Sequence, residues 1–232
     1  ALRLAHVPAM TYRDATQFLS KHTDMIELAD GDARVAIAPA WQGRVMTSAC
    51  GGPGGASFGF INRPFIERGE PDRRLNNYGG EERLWLSPEG GPFSLWFAPG
   101  APQVFDHWYT QPMLNEGAWP VAGQDPKTCR MTTGMAFRNA AGTRFEIDVE
   151  REVRLLDAER YAKLLGNSAV AIMVQPGVQW VGYETHNRLT NGGGAMSRRS
   201  GLVSIWILGM MNAGPRCVVV APYKPGEEAV LG

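Results

Sequence analysis

The segment NNYGGEERLWLSPEGG, residues 76–91, holds the densest group of side chains that could do chemistry. It contains the carboxylates Glu81, Glu82 and Glu89 together with Arg83 and Trp85. Carboxylates accept hydrogen bonds from sugar hydroxyls, a guanidinium donates to ring and hydroxyl oxygens, and an indole covers the apolar face of a sugar ring. Because neighbours on an extended chain point to opposite faces, at most one of Glu81 and Glu82 should face a pocket. The segment favours a carbohydrate site; a charged loop braced by salt bridges is the alternative.

Two of the four histidines lie near possible partners for acid–base chemistry. His107 follows an aspartate in a loop-rich segment, and His186 lies two residues from Glu184 on an alternating segment. An imidazole serves as an acid or base when a hydrogen-bonded group orients it, and these carboxylates could do so. Ordinary loop and solvent-exposed roles are the alternatives. We take Glu89 or Glu82, together with His107, as the candidate catalytic groups.

The remaining candidates are side chains that could bind a sugar: Arg44, Asn76, Arg83, Trp85, Trp108 and Glu184. The three cysteines, at positions 50, 129 and 217, are too scattered for a metal site or a disulfide framework. The glycine-rich segments 51–55 and 192–194 lack the context of a phosphate-binding loop. The sequence therefore predicts no metal and no cofactor, and a small-molecule sugar or glycan as the partner.

The composition is that of a globular chain with no net charge. Of 232 residues, 44% are hydrophobic and 20% charged, and 23 Lys and Arg residues balance 23 Asp and Glu residues. This balance predicts neither nucleic acid nor an anionic membrane as a partner. The best apolar segment, residues 201–211, is too short to span a bilayer and is typical of a buried strand. The composition leaves the oligomeric state open.

Alternating apolar and polar residues predict a mainly β protein with one or two short helices. Residues 143–156 form the clearest half-buried antiparallel strand, and an Asp30-Gly31 turn predicts a hairpin. Apolar residues at 201–210 and 216–222 predict two buried strands. Helices are expected behind the caps Thr11 and Asp157. Mostly antiparallel strands without regular helical crossovers indicate a single β-sandwich domain over residues 1–232.

Several motifs, in the same order, resemble an uncharacterised bacterial branch of the galactose-mutarotase-like, or aldose 1-epimerase-like, superfamily. They lie at residues 40–49, 57–62, 78–97, 105–108, 187–191 and 201–210. The resemblance implies an antiparallel β-supersandwich that binds sugars on the concave face of one sheet. Members usually continue well beyond the present end of the chain. We therefore expect the C-terminal part of the domain to be missing, as an uncovered sheet edge after residue 222 also suggests.

The resemblance also implies a chemistry. In characterised mutarotases a histidine protonates the ring oxygen and a glutamate takes the proton of the anomeric hydroxyl. The family's His-Gly-Gly pattern is matched here by Glu89-Gly90-Gly91, and its Leu-Thr-Asn-His pattern by Leu189-Thr190-Asn191-Gly192, so both histidines are replaced. Two functions remain open, a mutarotase-like isomerase that uses carboxylates and histidine, and a non-catalytic glycan-binding module. The processed-looking start and the glycan ligand favour a periplasmic or secreted location.

Overall fold

The structure, a computed structural model, describes residues 10–214, 217–221 and 226–227 of the chain. The strands of this part are β1 (Ile26–Asp30), β2 (Ala33–Ala38), β3 (Arg44–Ala49), β4 (Arg83–Ser87), β5 (Val121–Gln124), β6 (Thr128–Arg138), β7 (Arg144–Leu155), β8 (Tyr183–Asn191) and β9 (Ser204–Leu208). The helices are α1 (Tyr12–Leu19), α2 (Arg63–Arg68), α3 (Pro112–Asn115), α4 (Ala158–Leu165) and α5 (Asn167–Met173).

The strands form three antiparallel sheets, in the orders β1-β2-β3, β4-β9 and β5-β6-β7-β8. An antiparallel bridge between Val45 of β3 and Glu82, the residue before β4, joins the first two sheets. Val45 and Glu82 exchange both backbone hydrogen bonds, with N–O distances of 3.0 and 3.2 Å. Strands β1–β4 and β9 therefore make one layer, and strands β5–β8 make the second.

The largest hydrophobic core draws on both layers. Its fully buried members include Leu28, Val35, Ile37, Val45, Leu84 and Leu86 from the first layer, and Met131, Val149 and Val153 from the second. Two sheets that bury their apolar faces against each other make a β-sandwich. The β-sandwich class predicted from the sequence is thereby confirmed, whereas the mutarotase-like supersandwich stays a prediction.

Strand β7 shows how alternation builds the second layer. From Phe145 to Leu155, every second side chain is buried and the side chains between them face outward. This is the pattern that residues 143–156 predicted. The inward set also includes Arg151, a charged residue that is 1% exposed. A buried cation needs partners, and those of Arg151 form part of the site described below.

Helices α1 and α4 begin where their caps predicted. The Thr11 side chain accepts a hydrogen bond from the Asp14 amide, and the Asp157 side chain accepts one from the Arg160 amide. Helices α2, α3 and α5 were not predicted, because four to seven residues are too few to show a helical period. No helix in the described ranges is long and apolar enough to cross a membrane.

The C-terminal strands differ from the two buried strands that the sequence predicted. Strand β9 forms, but Ile205 and Ile207 are 38% and 40% exposed, because β9 is the last strand of its layer and the core that buries their partners Leu86 and Leu84 ends before it. Residues 217–221 form no strand, and the side chains of residues 218–220 are at least 79% exposed. Arg216 and Pro222, the ends of that predicted strand, lie outside the described residues.

Candidate functional site

Four of the predicted site residues lie together around β4. The Arg83 guanidinium carbon lies 3.8 Å from the centre of the Trp85 ring, and the Trp85 and Trp108 rings are 6.5 Å apart. Trp108 Nε1 donates a hydrogen bond of 3.1 Å to Glu89 Oε1. We name the tryptophan cluster after its indoles, Trp85, Trp96, Trp108 and Trp206. The structure thus brings the predicted Arg, Trp and Glu side chains together.

Burial divides the roles within the tryptophan cluster. Trp85 is 4% exposed and contacts the rings of Trp96 at 4.3 Å and Trp206 at 5.7 Å. An indole enclosed in this way belongs to the core and offers no face to a sugar. Trp108 is half-buried and Glu89 is exposed, so these two side chains remain within reach of a ligand.

His107 lies beside the tryptophan cluster but has no carboxylate partner in the part of the chain that the structure describes. Its Nδ1 is 3.1 Å from the carbonyl oxygen of Pro102, while Asp106 pairs with Arg74 at 3.4 Å. The Glu89 carboxylate is engaged with an indole instead. The predicted catalytic pair of Glu89 and His107 is therefore not assembled. Both His107 and Trp108 line an open cleft of about 710 Å³, which we name the histidine cleft.

Two predicted sugar binders, Arg44 and Asn76, are buried and donate hydrogen bonds to backbone carbonyls. Asn76 is 1% exposed; its Oδ1 accepts from the Asp72 amide at 2.6 Å, and its Nδ2 donates to the Asn115 carbonyl at 2.9 Å. Arg44 is 2% exposed and donates from Nη1 to the Gly79 carbonyl at 2.8 Å. Neither side chain lines the histidine cleft.

Glu184 lies in a network of ion pairs on β8. It contacts Arg160 Nη2 at 2.9 Å, His186 Nε2 at 3.3 Å and Arg154 Nη1 at 3.7 Å. The hydrogen bond from Arg160, with that from His186, lowers the pKa of the Glu184 carboxyl. Arg154 and His186 also line an open cleft of about 660 Å³ on the charged face of β6–β8. Because Glu184 is already paired with Arg154 and Arg160, its charge does not call for a ligand at this face.

Glu81 and Glu82 line a third cleft, of about 700 Å³, together with Tyr183 and Trp180. We name it the carboxyl cleft. The expectation that only one of the two glutamates faces a pocket is wrong. Alternation fails here because the chain is irregular before β4, with Gly80 at φ +108°, a conformation that side chains other than glycine rarely adopt.

The Glu81 carboxyl is buried, and only one of its oxygens is satisfied. Oε1 accepts hydrogen bonds from the Ser48 amide at 2.5 Å and the Ser48 hydroxyl at 3.0 Å. Oε2 is buried and meets no described donor at hydrogen-bonding distance and angle, although the Tyr183 hydroxyl lies near enough to the carboxyl to lower the pKa of Glu81. Burial raises the pKa of Glu81, and the contacts with Ser48 and with the Tyr183 hydroxyl oppose that effect only in part. Glu81 therefore keeps its proton to a higher pH than an exposed glutamate does.

Tyr183 and Glu82 complete the polar wall of the carboxyl cleft. Burial, with the nearby carboxylates Glu81 and Glu82, raises the pKa of Tyr183, so its hydroxyl stays protonated. Glu82 Oε1 accepts from Arg151 Nη2 at 2.9 Å. Arg151 is fixed in turn by the Gly43 carbonyl at 3.0 Å and by Asn187 Oδ1 at 2.8 Å. The cleft thus combines a carboxyl that favours its proton, a carboxylate paired with a guanidinium, and a hydroxyl donor.

Sequence reasoning missed the distant members of this cleft. It noted Glu81 but did not select it, and it selected neither Tyr183 nor Trp180, which come from the start of β8 and the segment before it. Arg151 gave the one usable signal, a charge at an inward position of an alternating strand. No cluster of three or more His, Cys, Asp or Glu side chains in the described ranges could hold a metal ion.

Comparison with known proteins gives a family but no activity. The sequence matches DUF6786, described as a family of unknown function, over residues 10–231. No curated protein and no solved structure matches the chain. The chemistry of the clefts must therefore carry any functional argument.

Proposed function

Because the chain belongs to DUF6786, a family of unknown function, we propose its function from the carboxyl cleft: it is a carbohydrate-active protein that binds a sugar there. One observation carries the proposal, the buried Glu81 carboxyl whose Oε2 has no hydrogen-bond partner among the described residues. An unsatisfied buried polar group costs about 1–3 kcal/mol. A sugar hydroxyl or ring oxygen bound beside Glu81 would remove that cost.

The remaining surface of the carboxyl cleft suits a sugar ring. Trp180 is half-buried, and its ring lies 5.4 Å from that of Tyr161, which supports it. The indole and the side chains of Val181 and Met211 supply apolar surface beside the polar wall. Ligand sites of a few hundred to about 1,000 Å³ combine such surface with a few polar groups. The volume of about 700 Å³ fits a mono- or disaccharide.

The proposed reaction is anomer interconversion, an isomerase reaction. Glu81 donates its proton to the ring oxygen, while Glu82 removes the proton of the anomeric hydroxyl. The bond between C1 and the ring oxygen breaks, C1 becomes a carbonyl carbon, and the ring recloses on either face. One proton enters and one leaves the sugar, so the protein needs no other reagent. Two carboxyl groups in unlike surroundings are the usual means of dividing acid and base roles.

NMR of free hexoses and uronic acids tests the reaction. We expect the wild type to accelerate anomerisation, and Glu81→Gln to reduce the acceleration about 10²–10⁴-fold, since an amide cannot transfer the proton. Glu89→Gln is the matched control, because Glu89 is exposed and lies outside the carboxyl cleft. A wild type that accelerates none of these sugars would remove the catalytic proposal.

A non-catalytic glycan-binding function at the histidine cleft is the second candidate. It is favoured by the contact of His107 with a carbonyl oxygen instead of a carboxylate, beside the half-buried indole of Trp108. Calorimetry with oligosaccharides distinguishes the two candidates. Binding that is lost in Trp108→Ala and kept in Glu81→Gln supports this function. Absence of heat with every oligosaccharide contradicts it.

A further inference from the structure

Arg44 and Arg83 lie opposite each other on neighbouring strands. Val45 and Glu82 form an antiparallel bridge in which both backbone hydrogen bonds are made. The next residue along each strand, Arg44 on β3 and Arg83 on β4, is therefore directly across from the other. Both side chains then lie on the face opposite to that of Val45 and Glu82, because side chains alternate along a strand. The pairing thus places two cationic side chains on the same face of neighbouring strands.

Both guanidinium groups are buried, and their N–H groups are poorly satisfied. Arg44 is 2% exposed and Arg83 6%. Arg44 donates to the Gly79 carbonyl at 2.8 Å and to Gln42 Oε1 at 3.4 Å, but its Nε has no hydrogen-bond partner within the described ranges. In the described part of the chain, Arg83 makes no side-chain hydrogen bond, and its Nε and Nη1 are fully buried. No described Asp or Glu carboxylate lies within 4.0 Å of either group.

This arrangement is unfavourable without a counter-charge. Like charges directly opposite on a sheet repel, and a buried charge normally has a partner of opposite sign. Burial and the neighbouring Arg83 lower the pKa of Arg44 to about 9, and burial lowers the pKa of Arg83 to about 10. Both groups therefore remain cationic at neutral pH. The rings of Tyr78, at 5.4 Å from Arg44, and Trp85, at 3.8 Å from Arg83, provide no full negative charge.

We propose that the pair of Arg44 and Arg83 binds an oxyanion, that is, a carboxylate, sulfate or phosphate group. Two adjacent guanidinium groups present several N–H donors to the oxygens of one such group. A single anion would satisfy the unpaired nitrogens of both arginines and offset their repulsion. Neither arginine lines the carboxyl cleft, so this inference is independent of the proposed function.

Thermal unfolding at constant ionic strength tests the proposal. Sulfate, phosphate and glucuronate are each titrated against chloride, with glucose as the uncharged match for glucuronate. We expect at least one oxyanion to raise the wild-type Tm saturably, because a ligand that binds only the folded state stabilises it. Arg83→Met should lose this response and should have a higher Tm than the wild type in chloride, since the repulsion is gone. Arg144→Met is the control, because Arg144 is an exposed arginine paired with Glu146.

The outcomes identify the kind of anion that binds or overturn the proposed site. A response to glucuronate without one to glucose supports an acidic sugar as the source of the anion, and a response to sulfate or phosphate alone supports an inorganic or ester anion. An unchanged response in Arg83→Met, or no saturable response of the wild type to any of the three, overturns the site. If Arg83→Met does not fold, Arg44→Met takes its place. If neither variant folds, the tryptophan fluorescence of the wild type is titrated with the same anions, because the Trp85 ring contacts Arg83. A fluorescence change with the same saturation midpoint as the Tm shift supports the site, and no change overturns it.

Discussion

At the scale of single residues, Glu81 couples the stability of the protein to pH. Burial raises the pKa of its carboxyl above the ordinary value of 4.5. The folded chain therefore holds a proton that the unfolded chain has lost, over the pH range between the unfolded and the folded pKa. The stabilising contribution is complete below the unfolded pKa and is lost as the pH rises through the folded pKa. Above the folded pKa, an ionised carboxylate occupies a buried position.

The first prediction concerns that pH range. We expect Glu81→Gln to unfold at a higher temperature than the wild type once the pH exceeds the folded pKa of Glu81, and the difference to vanish in acid below the unfolded pKa. For a chain of this size, about 1 kcal/mol corresponds to about 2–4 °C in Tm. Thermal unfolding across the pH range provides the measurement, with the exposed Glu89→Gln as control. A difference that grows toward acid pH would show that the raised pKa is wrong.

At the scale of elements, β7 joins the layers through Arg151. This side chain is fully buried and links Gly43 of the first layer to Asn187 of β8, while it also holds Glu82 in the carboxyl cleft. Arg151 occupies an inward position of β7, where the other inward side chains are apolar. The layers therefore meet here through hydrogen bonds instead of apolar contact. Removing the cation would leave several partners unsatisfied at once.

The second prediction follows from this link. Arg151→Met should lower the free energy of unfolding by about 3–5 kcal/mol, the usual cost of breaking a buried ion pair from one side. Arg144→Met, which removes an exposed partner of Glu146, should cost about 1 kcal/mol or less. Urea unfolding of both variants makes the comparison. Equal losses would mean that Arg151 does not hold the layers together.

The sequence allowed some elements to be predicted and left others open for physical reasons. Strand β7 and helices α1 and α4 were predictable, because alternation and capping are local properties. The burial of β9 was not, since an apolar segment does not show how far the opposing layer extends. The segment at 76–91 correctly indicated clustered polar groups, but Tyr183 joins Glu81 only through the fold.

At the scale of the whole molecule, the core lies where the two layers overlap, and β9 extends past it. Leu84 and Ile207 show the difference, because they are paired across β4 and β9. Leu84 is 1% exposed and belongs to the shared core, while Ile207 is 40% exposed. The two side chains thus differ in exposure although both are aliphatic and they lie opposite each other on neighbouring strands.

The third prediction compares this matched pair. Leu84→Ala should cost about 2–5 kcal/mol, because it leaves a cavity between the layers. Ile207→Ala should cost about 1 kcal/mol or less, since much of its surface is already in water. Denaturant unfolding of the two variants measures both values. A large loss in Ile207→Ala would place a further covering element over β9.

The close spacing of the indoles also gives the molecule an optical signature. Trp85 lies 4.3 Å from Trp96 and 5.7 Å from Trp206, and Trp96 lies parallel to Trp108 at 5.4 Å. Chromophores this close share their electronic excitation, so circular dichroism should show a split aromatic band. The band's amplitude depends on the mutual orientation of the rings. It would therefore register any loosening of β4, including one that leaves the backbone of the sheets intact.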